Sequence, residues 1–215
     1  MKKTSYILII ILILSLSHSC KKDEDKNTVS GNVTNSISGN SISSGTAFLY
    51  GQKVSSGTWN ASYTLLGQSS IEGGSFKIEI DVENITSYRL DISKTNFFKK
   101  EVFYTSDNFT DNSLNSNYSI DPSADVTIIV NNTSPKNSDD YLKYTIKQGY
   151  AEYDDACGES REFHGQTVTD TSVCKVIGDQ EVTFSIVWEK DNDGGTKEVK
   201  KYCASGENTE IIINY

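Results

Sequence analysis

The chain has 215 residues, with 20 Lys and Arg against 29 Asp and Glu and a formal charge of −9. Residues 1–19 read as an export signal whose removal deletes Lys2 and Lys3 and no acid, so that residues 20–215 carry −11 over a length suited to one or two small domains. A surface this acidic excludes nucleic acid and anionic lipid headgroups as electrostatic partners. One Met, two Pro and an abundance of Ser, Thr, Asn, Gly, Tyr and Ile exclude a long helical architecture in favour of short strands and turns.

Lys2 and Lys3 form a basic start, and Tyr6 to Leu16 is apolar apart from Ser15, as in a secretory signal. The run is too short to span a bilayer, which takes about 20 apolar residues. Ser17, His18, Ser19 and Cys20 follow. Small residues before a cysteine, directly after an apolar run, resemble a bacterial lipobox, with Ser17 where that pattern prefers Leu and Leu16 one place early. The resemblance implies cleavage before Cys20, a diacylglycerol on its thiol and acylation of its new amino group. Ordinary signal-peptide cleavage, leaving Cys20 free or bridged, is the alternative. Two or more acyl chains hold a protein to a membrane almost permanently, so lipidation of Cys20 implies a membrane partner and an outer-membrane location.

Lys21, Lys22, Asp23, Glu24, Asp25 and Lys26 come next. Such a run serves as a solvated tether. Lysines followed by acids just after a lipidated cysteine also resemble the surface-export signal of Bacteroidetes lipoproteins, which implies display on the exterior face of the outer membrane.

From Asn27 onward the apolar residues recur with period 2. Phe76, Ile78, Ile80 and Val82 alternate with Lys77, Glu79 and Asp81, the pattern of a strand with one face buried. Tyr88, Leu90 and Ile92 repeat it, as do Val126, Ile128 and Val130, then Leu142, Tyr144 and Ile146, then Val182, Phe184, Ile186 and Trp188. Strands of this kind, spaced by Gly, Asn, Asp and Ser turns, predict an all-β fold of sandwich or barrel type. Val29-Ser30-Gly31-Asn32-Val33, a turn at Ser38-Gly39-Asn40, and Gly45 to Tyr50 are followed by Gly73-Gly74-Ser75-Phe76-Lys77-Ile78 and Tyr88 to Ser93. This succession over residues 27–120 resembles the carboxypeptidase-regulatory-like domain. The resemblance implies a transthyretin-like sandwich of about seven strands, an accessory or assembly module without catalytic residues. Gly73 and Gly74 suit positive φ in the turn that feeds Phe76 into the core.

The second half opens near Pro122, where Tyr118-Ser119-Ile120 ends one strand and Asp125 to Val130 starts another, with the polar, turn-rich stretch from Asn115 to Ser123 as a short junction. Its clearest local feature is a hairpin, Val182 to Glu189 and Thr196 to Cys203, around a turn at Asp191-Asn192-Asp193-Gly194-Gly195; Ile211, Ile213 and Tyr215 form a last strand. The expected organisation is therefore two consecutive small β-sandwich domains after a cleaved lipoprotein signal peptide. Residues 1–19 are the signal, 20–26 the lipidated cysteine and charged tether, 27–120 the first sandwich and 121–215 the second, cysteine-bearing one.

Cys157, Cys174 and Cys203 lie in the second half, and an exported protein oxidises its thiols, so one disulfide is expected with one thiol left over. Three pairings are open. The favoured one uses Cys203, tying the hairpin's return strand to the irregular segment around Cys157. His164, the one histidine outside the signal, has no CxxC near it and no strained nucleophile turn, so neither a Cys/His metal site nor a triad is expected. The pairs Asp139-Asp140, Asp154-Asp155 and Asp191 with Asp193 read as solvated loop acids. The run from Asp191 opens like a calcium loop but has Tyr202 where a bidentate Glu belongs, leaving calcium at Asp191 and Asp193 an open alternative to a plain turn.

Twelve tyrosines and two tryptophans complete the picture, with Trp59, Tyr63, Phe97, Phe98, Phe103 and Tyr104 in the first half as core or as a sugar-stacking platform. The functional expectation is a non-enzymatic outer-membrane lipoprotein that acts as a binding or assembly module, needs no cofactor and engages a protein or glycan partner. Glycan capture and a hydrolase are the alternatives. A concave aromatic surface with convergent acids would favour glycan capture or hydrolysis; flat faces with an open sheet edge would favour protein assembly.

Overall fold

The computed structural model describes residues 26–55, 58–59, 61–81 and 84–215. The predicted signal peptide, Cys20 and the run Lys21, Lys22, Asp23, Glu24 and Asp25 lie outside the described residues, as does Val82. The described chain is all-β, with one 3-10 turn at Ser106–Asn108. Eight strands form the first half: β1 (Lys26–Asn35), β2 (Ser44–Ser55), β3 (Thr58–Trp59), β4 (Thr64–Glu72), β5 (Ser75–Asp81), β6 (Ile85–Ser93), β7 (Lys100–Thr105) and β8 (Ser113–Ile120). Their hydrogen-bonded order is β7-β6-β2-β4-β5-β1-β8, with β3 on β2.

That path turns over at the β4–β5 hairpin, where Glu72 and Ser75 alone are paired. Gly73 and Gly74 take φ of +59° and +89°, as the sequence predicted, which glycine adopts without the Cβ clash that other residues meet. Beyond the turn the two strands face each other, and a Cβ on Gly67 would stand 2.8 Å from Ile78. Two layers result, β7-β6-β2-β4 over β5-β1-β8, and the alternating Val29, Val33, Leu49, Ile78, Leu90, Ile92 and Ile120 meet between them. Each fully buried Ile or Leu there stabilises the fold by about 1.5–3 kcal/mol relative to exposure.

The second half has a four-stranded and a three-stranded layer. Its strands are β9 (Ser123–Asn131), β10 (Tyr141–Gln148), β11 (Ser160–His164), β12 (Thr169–Ile177), β13 (Gln180–Lys190), β14 (Asp193–Cys203) and β15 (Asn208–Asn214). The layers run β11-β10-β13-β14 and β12-β9-β15 and enclose a separate core that includes Val126, Ile128, Leu142, Phe184, Ile186, Ile211 and Ile213. In each half the first strand is the centre of a three-stranded layer and the last strand lies parallel to it, β1 with β8 and β9 with β15.

Three expectations are corrected. The strand that ends at Tyr118-Ser119-Ile120 begins at Ser113, so the junction is shorter than expected: Leu114, Tyr118 and Ile120 bury one face of β8, and Asp121-Pro122 is all that separates β8 from β9. The β13–β14 turn is two residues, Asp191-Asn192, since Lys190 already pairs with Asp193 and Asp191 takes a φ of +53°. Gly194 and Gly195 therefore belong to β14, where Trp188 lies across Gly195 and a Cβ would sit 2.7 Å from its ring.

The favoured disulfide is also overturned. Cys157 pairs with Cys174, at a Cα separation of 4.9 Å, and Cys203 is a free, fully buried thiol. The loop carrying Cys157 lies along β12, with Ala156 bridged to Lys175 and the Cys157 amide donating to the Lys175 carbonyl at 2.8 Å. Cys203 instead points into the core from the end of β14.

Candidate functional site

Among the described residues a concave feature lies where the two sandwiches meet, and its geometry follows from how the junction is braced. The β6–β7 loop of the first sandwich reaches over Asp121 to Ser123: the Phe98 amide donates to the Asp121 carbonyl and the Ser123 amide to the Asn96 carbonyl, both at 2.9 Å. From the second sandwich the Gly178 amide donates to the Pro122 carbonyl at 2.8 Å and the Gly206 amide to the Ser123 carbonyl at 2.9 Å. Gly206 has φ of +77°, and the Asn96 side chain occupies the place of any Cβ there.

Tyr153 completes the brace. Its ring stacks on Phe98 at 4.3 Å between centroids and 6° between planes. Its hydroxyl donates to Asp121 Oδ2 at 2.7 Å. Burial, then the hydrogen bond to Asp121, push the Tyr153 hydroxyl well above the ordinary tyrosine range. The disulfide at Cys157 and the ion pair of Lys175 with Asp155 at 2.5 Å pin the loop that presents it.

Between the β6–β7 loop and this loop runs an open cleft of about 770 Å³. Phe97 and Lys99 line one wall with Lys100 and Glu101 of β7; Tyr150, Glu152, Tyr153, Asp154 and Asp155 line the other, and Asp121 forms its floor. Lys99 pairs with Glu101, and the hydrogen bond between them raises the lysine's pKa and lowers the carboxylate's. Five carboxylates, two ammonium groups and three rings converge here. By charge, such a lining suits a polar group that is neutral or positive better than an anion.

The residues singled out by the sequence fall in several places. Asp154 and Asp155 line the cleft, whereas Asp140 is fully buried at the far end of the second sandwich. Its carboxylate accepts from Asn132 Nδ2 at 2.8 Å and from the Lys136 and Asn137 amides at 2.9 and 3.2 Å. Lys190 closes this node by donating to Asn132 Oδ1 at 2.6 Å and to the Ser134 carbonyl at 3.1 Å. Asp140 is thus a structural staple. His164 lies exposed on β11 against Tyr141, 5.0 Å between ring centroids. Cys157 is bridged and Cys203 is buried, so neither presents a thiol to it. Among the described residues no three His, Cys, Asp or Glu side chains gather as metal ligands, Asp191 and Asp193 included.

Of the aromatics, Phe98 is buried in the brace, and Tyr104 donates to the Tyr118 hydroxyl at 2.9 Å. Tyr63 and Phe103 meet on the outer face of the first sandwich, and Trp59 pairs with Val54 through the backbone. Sequence reasoning missed Tyr150 and Tyr153 as site residues, because the irregular run from Gly149 to Gly158 shows no periodicity to say which way its rings point.

No family model matches the chain, and no curated protein matches it. Among solved structures it is similar to the Bacillus anthracis TIE protein, with a TM-score of 0.36 and 9% identity over 88% of this chain and 34% of that one. The chain therefore spans about a third of that protein's length. It is also similar to the shaft pilin SpaA of Lactobacillus rhamnosus GG, with a TM-score of 0.35 and 10% identity over 88% of this chain and 98% of that one. A streptococcal ancillary pilin gives 0.32 and 11%, over 89% and 63%. Similarity at this level assigns neither a family nor a function.

Proposed function

We propose that the protein is a non-enzymatic binding module, anchored to the outer membrane through a lipidated Cys20, displayed on the cell exterior, and holding its partner in the cleft between the sandwiches. The observation that carries this reading is the braced junction: backbone hydrogen bonds and the Phe98–Tyr153 stack fix two sandwiches so that an open, carboxylate-rich cleft stands between them. A preformed concavity with rings and charged groups is what ligand binding requires. Two of the sheet edges carry charges that discourage strand addition, Lys197, Glu198, Lys200 and Lys201 on β14 and Lys100 and Glu101 on β7. The strand succession of residues 27–120 supports reading the first sandwich as a carboxypeptidase-regulatory-like module in an accessory role.

Protease shaving of intact cells tests display. The native protein is digested, while replacement of Lys22, Asp23, Glu24 and Asp25 by Ala abolishes digestion and keeps membrane attachment. Cys20→Ala releases the protein from membranes. If both forms resist digestion on intact cells and are cut after lysis, the protein faces the periplasm and surface display is wrong. Amine-reactive cross-linking on intact cells tests the cleft: partner adducts form at Lys99 or Lys100, and adducts confined to β14 lysines would place binding elsewhere.

A further inference from the structure

The outer face of the β7-β6-β2-β4 layer departs from the polar pattern of a solvent-facing sheet. Register places Phe103, Arg89, Tyr50 and Leu65 in one row across four neighbouring strands. Phe103 is 61% exposed and Leu65 49%. Tyr63 closes the row from the side, with its ring 6.1 Å from Phe103 in an edge-to-face arrangement.

The array is held in place from beneath. The Arg89 guanidinium lies 4.7 Å from the Tyr50 ring centroid and 5.2 Å from that of Tyr63, so one cation orients both rings. Arg89 is fixed by Asp91, Nε to Oδ1 at 2.9 Å and Nη2 to Oδ2 at 3.1 Å. Asp91 is only 4% exposed, an unusual state for a carboxylate on the outer side of a sheet, and Lys99 reaches it at 3.8 Å. The arginine's charge is thereby balanced, and the platform attracts neither polyanion nor polycation.

From this geometry we infer that the Tyr50-Tyr63-Phe103 platform is a carbohydrate-binding site for neutral glycans, separate from the cleft. The faces of pyranose rings are apolar and pack on aromatic rings, while their rim hydroxyls pair with the Arg89 guanidinium set among them. The row crosses three strand spacings, about 14 Å, which suits a short stretch of an oligosaccharide. Five side chains fall far short of the roughly 20–30 residues a side that a stable protein interface uses, which disfavours a second copy as the occupant. The charge of −11 on residues 20–215 disfavours acidic polysaccharides.

The test is native electrophoresis of the full-length protein in detergent, through gels cast with neutral polysaccharides (glycogen, a β-1,3-glucan, a mannan and an arabinoxylan) or with polygalacturonate. At least one neutral polymer retards the protein, and Tyr63→Ala with Phe103→Ala weakens apparent affinity about tenfold or more, the order expected for lost ring stacking. Tyr150→Ala in the cleft leaves retardation unchanged, so failure of this site and failure of the cleft reading are distinguishable. Phe103→Ala alone, at an exposed position, controls for folding. Unaltered mobility in every gel, retardation by polygalacturonate alone, or retardation that survives the double substitution overturns the inference. A concentration-dependent dimer in sedimentation that Phe103→Ala dissolves also overturns it, by assigning the face to a second copy.

Discussion

Replacing Cys157 and Cys174 together by serine removes a cross-link that spans 17 residues of sequence. Treated as lost loop-closure entropy in the unfolded chain, a loop of that length corresponds to about 3 kcal/mol at 25 °C. The local geometry keeps that loss from being hidden by rearrangement. Without the bridge, the loop is still tied to β12 by the Cys157 amide, the Ala156–Lys175 bridge and the Asp155–Lys175 ion pair, so the native fold persists while its unfolded state gains freedom. In urea, with a slope of about 2 kcal/mol/M for a domain of this size, the second sandwich's midpoint falls by about 1.5 M. Tyrosine and tryptophan fluorescence follow the transition, and non-reducing peptide mapping of the native protein assigns the bridge. Cys203→Ala leaves the bridge intact. A map that joins Cys203 to either partner, or a double variant with an unshifted midpoint, refutes the reasoning.

Asp140 gives a pH-dependent prediction. Burial alone would raise its pKa, but hydrogen bonds from Lys136, Asn132 and Asn137 and the charge of Lys190 outweigh it and hold the carboxylate below its ordinary value. Because the folded pKa lies below the unfolded one, its contribution is full above about pH 4 and is lost as pH falls through the folded value. Asp140→Asn accordingly lowers the urea midpoint at pH 7, and its deficit against the native protein shrinks towards pH 3; a deficit constant with pH would show the carboxylate's charge to be irrelevant. Gly31→Ala tests the parallel β1–β8 pair, since a Cβ there would overlap the Ser116 carbonyl oxygen and the Tyr118 ring. Forcing those strands apart destabilises the first sandwich by about 3 kcal/mol, read as a shifted unfolding transition that spares the second.

The alternation of apolar residues was enough to find the strands that matter most, because a strand with one buried face repeats every two residues whatever it packs against. Phe76 to Ile80 became β5, Tyr88 to Ile92 became β6, and Val182 to Ile186 became the heart of β13. The Gly73-Gly74 turn was equally legible, since glycine takes positive φ without a Cβ clash. Partnership was another matter. Whether Cys157 meets Cys174 or Cys203 depends on which strand an aperiodic loop lies along, and no local pattern encodes that. Asp139 and Asp140 look alike in sequence, yet one is exposed and the other is fully buried, its carboxylate held by Asn132, Lys136 and Asn137 of the loop that precedes it. Tyr150 and Tyr153 became site residues through the junction alone, and Tyr50, Arg89 and Phe103 became a row through strand register. Sequence by itself determined the all-β class and the core faces, because those follow from local periodicity and backbone sterics. The tertiary structure decided the disulfide, the cleft and the platform, because each is made by residues that only long-range strand pairing brings within reach of one another.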